Sequence, residues 1–388
     1  MATKKQTIRM LFGGGWATDF GPNADVTPDA SGTILFPFLV DAENIYYELD
    51  GGPRKMGGAT KLNSTVLESG AEIMGLTDFW RMGTGGSGTQ QRVVHVSTKI
   101  KSDAANGTFS DIRTGREDNA TPSYCTFNDV LIIGSTSTTD NPQSYDGTTC
   151  ADLGGTAPRF AFSCAHKNRV WAAGVAGTPS RLHYSGLLNQ ADWVGATAGY
   201  IDIDPNDGGS DAFSRAPFIR GLGCVWQNTI FRFRDDVGFM WSDGSIHSLN
   251  ATSAYGDFNE AALSRPIHKY IKDHVNFTYL QRAWAATNVQ RSFVAITIPI
   301  DASTFCNQTL MMDYSHDPVR WATWPAYNAS CVATVVDGND SNRPRLYVGG
   351  RDGFVRRTDI VNRSIDTSTS YAAKVTTPYS DYGATFLM

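Results

Sequence analysis

Short apolar runs bracketed by turn residues recur along this chain, and few of them carry a helical period. Val93-Val94-His95-Val96-Ser97, Val130-Leu131-Ile132-Ile133, Arg169-Val170-Trp171-Ala172-Ala173 and Thr229-Ile230-Phe231-Arg232-Phe233 are short and β-branched or aromatic, as are Ser292–Ile298 and Arg345–Gly349. Such runs predict strands. Asp50-Gly51, Asp146-Gly147, Asp243-Gly244, Asp337-Gly338 and Asp352-Gly353 predict hairpins. Asp-Gly favours the type I′ turn, whose twist matches that of paired strands.

Grouped together, the strands form candidate units at 73–117, 124–155, 160–204, 217–252, 277–325 and 330–362. Units of this size have the period of propeller and kelch-like arrays. The expected fold is all-β, a β-propeller of roughly six to seven blades, each a small antiparallel sheet around a common axis. A twisted sandwich or two stacked β domains would give similar spacing. Residues 1–60 are expected to supply an N-terminal segment and first strands that close the propeller, 61–362 the blades, and 363–388 a C-terminal strand segment.

One segment breaks the strand rhythm. Around 264–275, Ser264 or Arg265 can cap a helix with Pro266 in its first turn, and Ile267, Tyr270, Ile271 and Val275 form an apolar stripe. This predicts a short inter-blade helix, or alternatively a docking element for another subunit. The polar stretches Lys101 to Asn119 and Ser137 to Asp146 read as exposed, mobile loops.

Composition refines this picture. The chain has 388 residues, enough for two or three average domains, but repeat-built β architectures run longer as single units. Its 38 glycines and 16 prolines suit many tight turns, and its 18% charged content leaves surface for neighbouring subunits to cover. A net charge of −5 argues against wrapping nucleic-acid phosphates on a wide basic face, though not against a channel through which DNA slides. No run of 18 apolar residues is present, so no membrane-spanning helix is expected. The basic start, Met1 to Arg9, is followed by only Met10-Leu11-Phe12 before Gly13, too short for the apolar region of an export signal.

Cysteines at 125, 150, 164, 224, 306 and 331 lack any CxxC or His/Cys metal spacing and read as reduced, mostly buried strand residues. Asn-x-Ser/Thr triplets at Asn63, Asn106, Asn119, Asn250, Asn276 and Asn328 would accept glycans in a secreted eukaryotic chain, and are otherwise a by-product of Asn- and Thr-rich turns.

The search for chemistry yields no catalytic residue, cofactor-binding residue or metal ligand. Gly13-Gly14-Gly15 and Gly83 to Gly88 lack the Gly-Lys-Ser/Thr ending of a P-loop. Asp202, Asp204, Asp207, Asp235 and Asp236 are the dense carboxylates a glycosidase would need, and Asp204 to Asp207 offer oxygens to Ca²⁺, but these clusters are turn chemistry first. His183 and His247 read as structural residues beside strands. Trp171, Trp193, Trp226, Trp241, Trp284, Trp321 and Trp324 suit blade cores better than a carbohydrate-binding row.

Several segments share a pattern. Gly15 to Ala24 leads to Asn44-Ile45-Tyr46-Tyr47-Glu48-Leu49-Asp50-Gly51-Gly52-Pro53-Arg54-Lys55-Met56-Gly57-Gly58. Arg169 to Gly174, Pro179 to Ser185 and Ala191-Asp192-Trp193 follow, then Phe293 to Pro299, Leu310 to Tyr314, Arg320 to Trp324 and Leu346 to Val355. Together these resemble the tail nozzle proteins of short-tailed phages, also called tail tubular protein B. The chain ends at Met388, where larger members of that family continue with extra tail domains.

The resemblance implies a structural virion protein of the tail, assembled in the host cytoplasm and not an enzyme. It implies a ring of six copies between an adaptor or portal-side protein and a tail fibre or needle protein, with DNA passing through the lumen without sequence-specific binding. The alternative reading is a propeller glycan-binding protein or glycosidase.

Overall fold

The computed structural model describes residues 9–12, 14–19, 33–36, 38–48, 52–82, 88–104, 106–202, 227–250, 262–338, 341–366 and 368–378. Six small sheets form a six-blade β-propeller. The first blade comprises Ile73–Met82, Gly88–Val96, Lys99–Asp103 and Ser110–Arg113. Pro122–Phe127, Val130–Ser135, Gln143–Tyr145 and Cys150–Asp152 make the second, and Phe162–His166, Arg169–Ala173, Arg181–Tyr184 and Gly199–Asp202 the third. The described part of the fourth is Phe231–Phe233, Asp236–Met240 and Ile246–Ser248. Each of these four sheets is an antiparallel meander whose first strand lies innermost.

The last two blades borrow strands from far along the chain. In the fifth, Trp284–Asn288, Phe293–Ile298, Gln308–Asp313 and Arg320–Thr323 are extended by Asp41–Glu43 and then Lys374–Thr376. In the sixth, Ala329–Asp337, Arg343–Gly350 and Val355–Ile360 take Gly58–Lys61 as their fourth strand, with Thr358 opposite Ala59. That N-terminal strand and the C-terminal meander form one sheet, so the ring is closed by hydrogen bonds between the two ends of the propeller. Gly58 permits the contact: a Cβ there would stand 2.0 Å from the Asn362 carbonyl oxygen.

The turn chemistry is locally dictated. Gly147, Gly244 and Gly353 all adopt positive φ between antiparallel strands, as an Asp-Gly hairpin requires. Asp337-Gly338 joins the first two strands of the sixth blade, and Asp50-Gly51 lies outside the described residues. The interruption near 264–275 is a 3₁₀ turn, Arg265–Ile267, running into the helix His268–His274 between the fourth and fifth blades. Ile267, Ile271 and Val275 are buried there.

The two polar stretches expected to be mobile loops are strand in part, while 114–115, 117–119 and 138–139 are exposed residues outside any strand. Lys101 and Asp103 belong to a strand, Ser110–Arg113 is the first blade's outer strand, and Gln143 and Tyr145 are fully buried in the second. Their polarity reflects internal ion pairing: Arg92 and Asp103 meet at 2.7 Å, and Lys101 holds Glu68 and Asp111.

Candidate functional site

Among the described residues, the sequence candidates do not converge. Asp202 is exposed on the third blade's outer strand and is bound by Arg181 at 2.7 Å; Arg181 in turn lies over the Tyr200 ring. Asp235 is an exposed turn residue, and Asp236 accepts hydrogen bonds from Ser248 and the Asn250 amide. Asp204, Asp207, Cys224 and Trp226 lie outside the described residues, as do Gly13 and Gly83 to Ser87. His183 contacts Thr178, and His247 is buried against Ser245 and the Phe239 ring; burial lowers both pKa values.

Trp193, Trp284, Trp321 and Trp324 are buried, whereas Trp241 is exposed and Trp171 half-buried. Cys125, Cys150, Cys306 and Cys331 are buried free thiols, their pKa values pushed up by desolvation. Asn63 is also buried. It bonds the Thr65 and Gly353 carbonyls and the Val355 amide, so it braces a turn rather than presenting a glycan site.

What the fold does bring together is a seam between the N-terminal segments and the last two blades. Ile45–Tyr47 and Pro53–Lys55 form a hairpin against the fifth blade. Asn44, 3% exposed, places its Oδ1 on the Ala326 amide and its Nδ2 on the Ala372 carbonyl, while its own carbonyl accepts from Met56. Trp324 Nε1 donates to the Ile45 carbonyl at 2.5 Å, and Tyr47 Oη to that of Trp321 at 2.7 Å.

Beneath the hairpin Arg320, 1% exposed, donates through Nε and Nη2 to Asp313 and through Nη2 to His316 Nδ1, with its guanidinium 4.7 Å from the Tyr47 ring centroid. Burial drives the Tyr47 phenol far above its ordinary range. Gly15 crosses directly over Arg320 at φ +69, where a Cβ would come within 2.7 Å of Arg320 Cβ. The seam thus requires an N-terminal glycine and the Asn44 amide, both meeting residues more than 270 positions away, over an arginine that is ion-paired locally by Asp313.

Over this seam opens a cleft of about 670 Å³ lined by Tyr46, Tyr47, Glu48, Arg54, Gln290, Arg291, Ser292 and Ser315. Arg54 and Arg291 both lie against the Tyr46 ring, at 5.9 and 5.0 Å. Each is also held by a carboxylate: Arg54 by Glu48 at 2.6 Å and Arg291 by Asp359 at 2.7 Å. The cleft therefore offers an aromatic face, two oriented cations and several neutral donors and acceptors. Those features suit recognition of a polar surface; no nucleophile paired with a base stands among them. None of these residues was singled out as a site from sequence, because they come from positions near 50, 290 and 315 and are joined only where Asp41–Glu43 and the hairpin after it meet the fifth blade.

A second cavity, about 280 Å³, lies on the propeller axis among the inner strands, reached by Asp78, Tyr124, Trp284 and Thr334. Asp78 accepts from the Val336 amide, Gln90 and Trp80 Nε1, and partial burial raises its pKa above the ordinary carboxylate range. Gln227 and Asn228 border this space and are anchored on Ser163 and Pro122.

No protein-family model matches the chain, and no curated protein matches it. Among solved structures it is similar to a structural-genomics protein of unknown function from Bacteroides thetaiotaomicron, with 8% identity over 78% of this chain and 72% of that one and a TM-score of 0.40. A chain of a Saccharomyces cerevisiae Dbp5 complex with Nup159, Gle1, IP6 and ADP is 7% identical over 81% of this chain and 97% of its own, at a TM-score of 0.37. The extracellular domain of a candidate one-component system of B. thetaiotaomicron is 10% identical over 77% of this chain, which covers 40% of it, at a TM-score of 0.40. Likenesses this slight say nothing of activity or partners.

Proposed function

We propose that the chain is a structural virion protein of a phage tail, of the nozzle type: one subunit of a ring, six copies in the simplest arrangement, whose lumen conducts DNA during ejection. In this reading it links an adaptor or portal-side protein to distal tail parts, and is assembled into virions in the host cytoplasm.

The observation that carries the reading is where the family-like segments lie. Gly15, the 44–58 stretch, 310–324 and 346–355 are far apart in sequence, yet they meet in the seam and the sixth blade. Most of the family-like segments thus fall in one packed unit, while Arg169 to Trp193 lie in the third blade. The axial cavity, at about 280 Å³, is far too small for a duplex, so conduction belongs to the lumen between copies. Ring contacts of this kind are heterologous and close by rotation. Electron microscopy of the purified protein, alone and mixed with portal and adaptor proteins of a short-tailed phage, is expected to show closed rings with a central channel. A chain that stays monomeric in every condition and binds neither protein overturns the reading.

A second reading, glycan binding, is favoured by the cleft, where Tyr46 and Tyr47 offer apolar faces beside Gln290, Arg54 and Arg291. Glycan-array binding that disappears in Tyr46→Ala would support it over the nozzle.

A further inference from the structure

The two arginines of the seam cleft are held in place but not used up. The Arg54 and Arg291 side chains are 49% and 40% exposed, so a ligand in the cleft reaches both. A guanidinium carries five N–H donors in one plane, in a fork that matches a carboxylate. Glu48 takes Nη1 of Arg54, and Asp359 meets Nε of Arg291. The remaining side-chain nitrogens of both residues touch only the Tyr46 ring among the described residues. Nor are the two arginines equally neutralised. Glu48 matches Arg54 one to one, whereas Asp359 also holds Arg345, at 3.2 Å, and so does not balance Arg291 by itself.

The rest of the wall narrows the ligand. Among the described residues, its other polar groups are neutral: the Gln290 amide and the Ser292 and Ser315 hydroxyls. Such groups both donate and accept, as the hydroxyls of a sugar ring do. The tyrosine rings supply the only apolar faces and no aliphatic side chain lines the space, which disfavours a peptide anchored by apolar residues. A volume of about 670 Å³ is ordinary for a small-ligand site.

We propose that the seam cleft selects acidic sugars: a mono- or disaccharide whose carboxylate pairs with Arg291, while Arg54, Gln290, Ser292 and Ser315 meet its hydroxyls. The assignment rests on the glycan reading of the cleft and names the class of glycan.

The test is saturation-transfer difference NMR on the purified full-length chain, at low and high salt. The probes are methyl β-D-glucuronide, the methyl glycoside of N-acetylneuraminic acid, neutral methyl β-D-glucoside and an oligoglutamate peptide. At least one acidic sugar is expected to bind about tenfold or more tightly than the glucoside, with an advantage that shrinks as salt rises. Arg291→Gln should remove that advantage, whereas Arg54→Gln should weaken acidic and neutral sugars by a similar, smaller factor; unfolding midpoints establish that both variants fold. Equal affinity for the glucuronide and the glucoside, lost in Tyr46→Ala, overturns the acidic selection and leaves the glycan reading standing. A preference that survives Arg291→Gln overturns the assignment of the carboxylate. Transfer to no sugar, with or without binding of the peptide, overturns both the proposal and the glycan reading.

Discussion

The fifth and third blades are built from similar strand material and end in opposite conditions. In the fifth, Phe293–Ile298, Gln308–Asp313 and Arg320–Thr323 are buried at every position, because the strands Asp41–Glu43 and Lys374–Thr376 and the 45–55 hairpin cover the sheet's edge and end. The third has no such cover among the described residues: Arg181–Tyr184 is half-buried throughout, and Tyr200 and Ile201 are 53% and 48% exposed on the outer strand. Polar residues follow the same division. Arg320 and Asp313 are paired out of water, whereas Arg181 and Asp202 are paired in it. The difference teaches that this chain concentrates its stability where its ends meet, and leaves the opposite side free to be shaped by other demands.

The sharpest way to break the contrast is Arg320→Ala. It leaves the Asp313 carboxylate buried without its cation, and a loss of about 3–5 kcal/mol in urea unfolding is expected; a loss no larger than that of a surface substitution would show that the seam is not the stabilising element.

His95 comes next. It is fully buried in the first blade and held neutral by desolvation, with Arg116 adding to the effect, so its pKa falls from 6.5 to about 4. Its unfolded form takes up a proton on acidification before the folded form does. Stability is therefore fully present above pH 6.5 and is lost as the pH falls from 6.5 to about 4, by an amount on the order of 3 kcal/mol. The slope of stability against pH in that window should flatten in His95→Phe, and an unchanged slope would assign it to other groups.

A smaller effect is expected from Gly58→Ala, whose new methyl meets the Asn362 and Ser364 carbonyls and must push the closing strand outward. About 1–3 kcal/mol should be lost, read from the unfolding midpoint. Smallest of all, Asp202→Asn should leave the midpoint unchanged, because the pair it breaks is solvated. If it proves as damaging as Arg320→Ala, the two blades are not the opposites described here.

How much of this was legible in the sequence follows from how local each cause is. The Asp-Gly turns at 146, 243 and 352 could be read because a two-residue preference decides them, and the six units fall close to the six blades for the same reason. The helix after Pro266 was readable from four apolar positions at helical spacing. By contrast, Lys101 and Gln143 read as loop residues because their partners, Glu68, Asp111 and Asp152, belong to other strands or turns. The cleft was invisible for a stronger version of that reason. Tyr46 and Arg291 touch because Asp41–Glu43 joins the edge of the fifth blade and the hairpin after it folds over that sheet, and no pattern within either segment announces it.

The closing strand also imposes an order on the chain's birth. Gly58–Lys61 leaves the ribosome about 300 residues before Val355–Ile360, the strand it must join. Throughout that interval of synthesis the early strand has no native edge to pair with, and the first blade's neighbour on one side does not yet exist. Non-local pairings of this kind are slow to form and leave unpaired edges open to misassociation while they wait. A message truncated anywhere before the codon for Val355 would therefore yield an open array of blades rather than a smaller propeller.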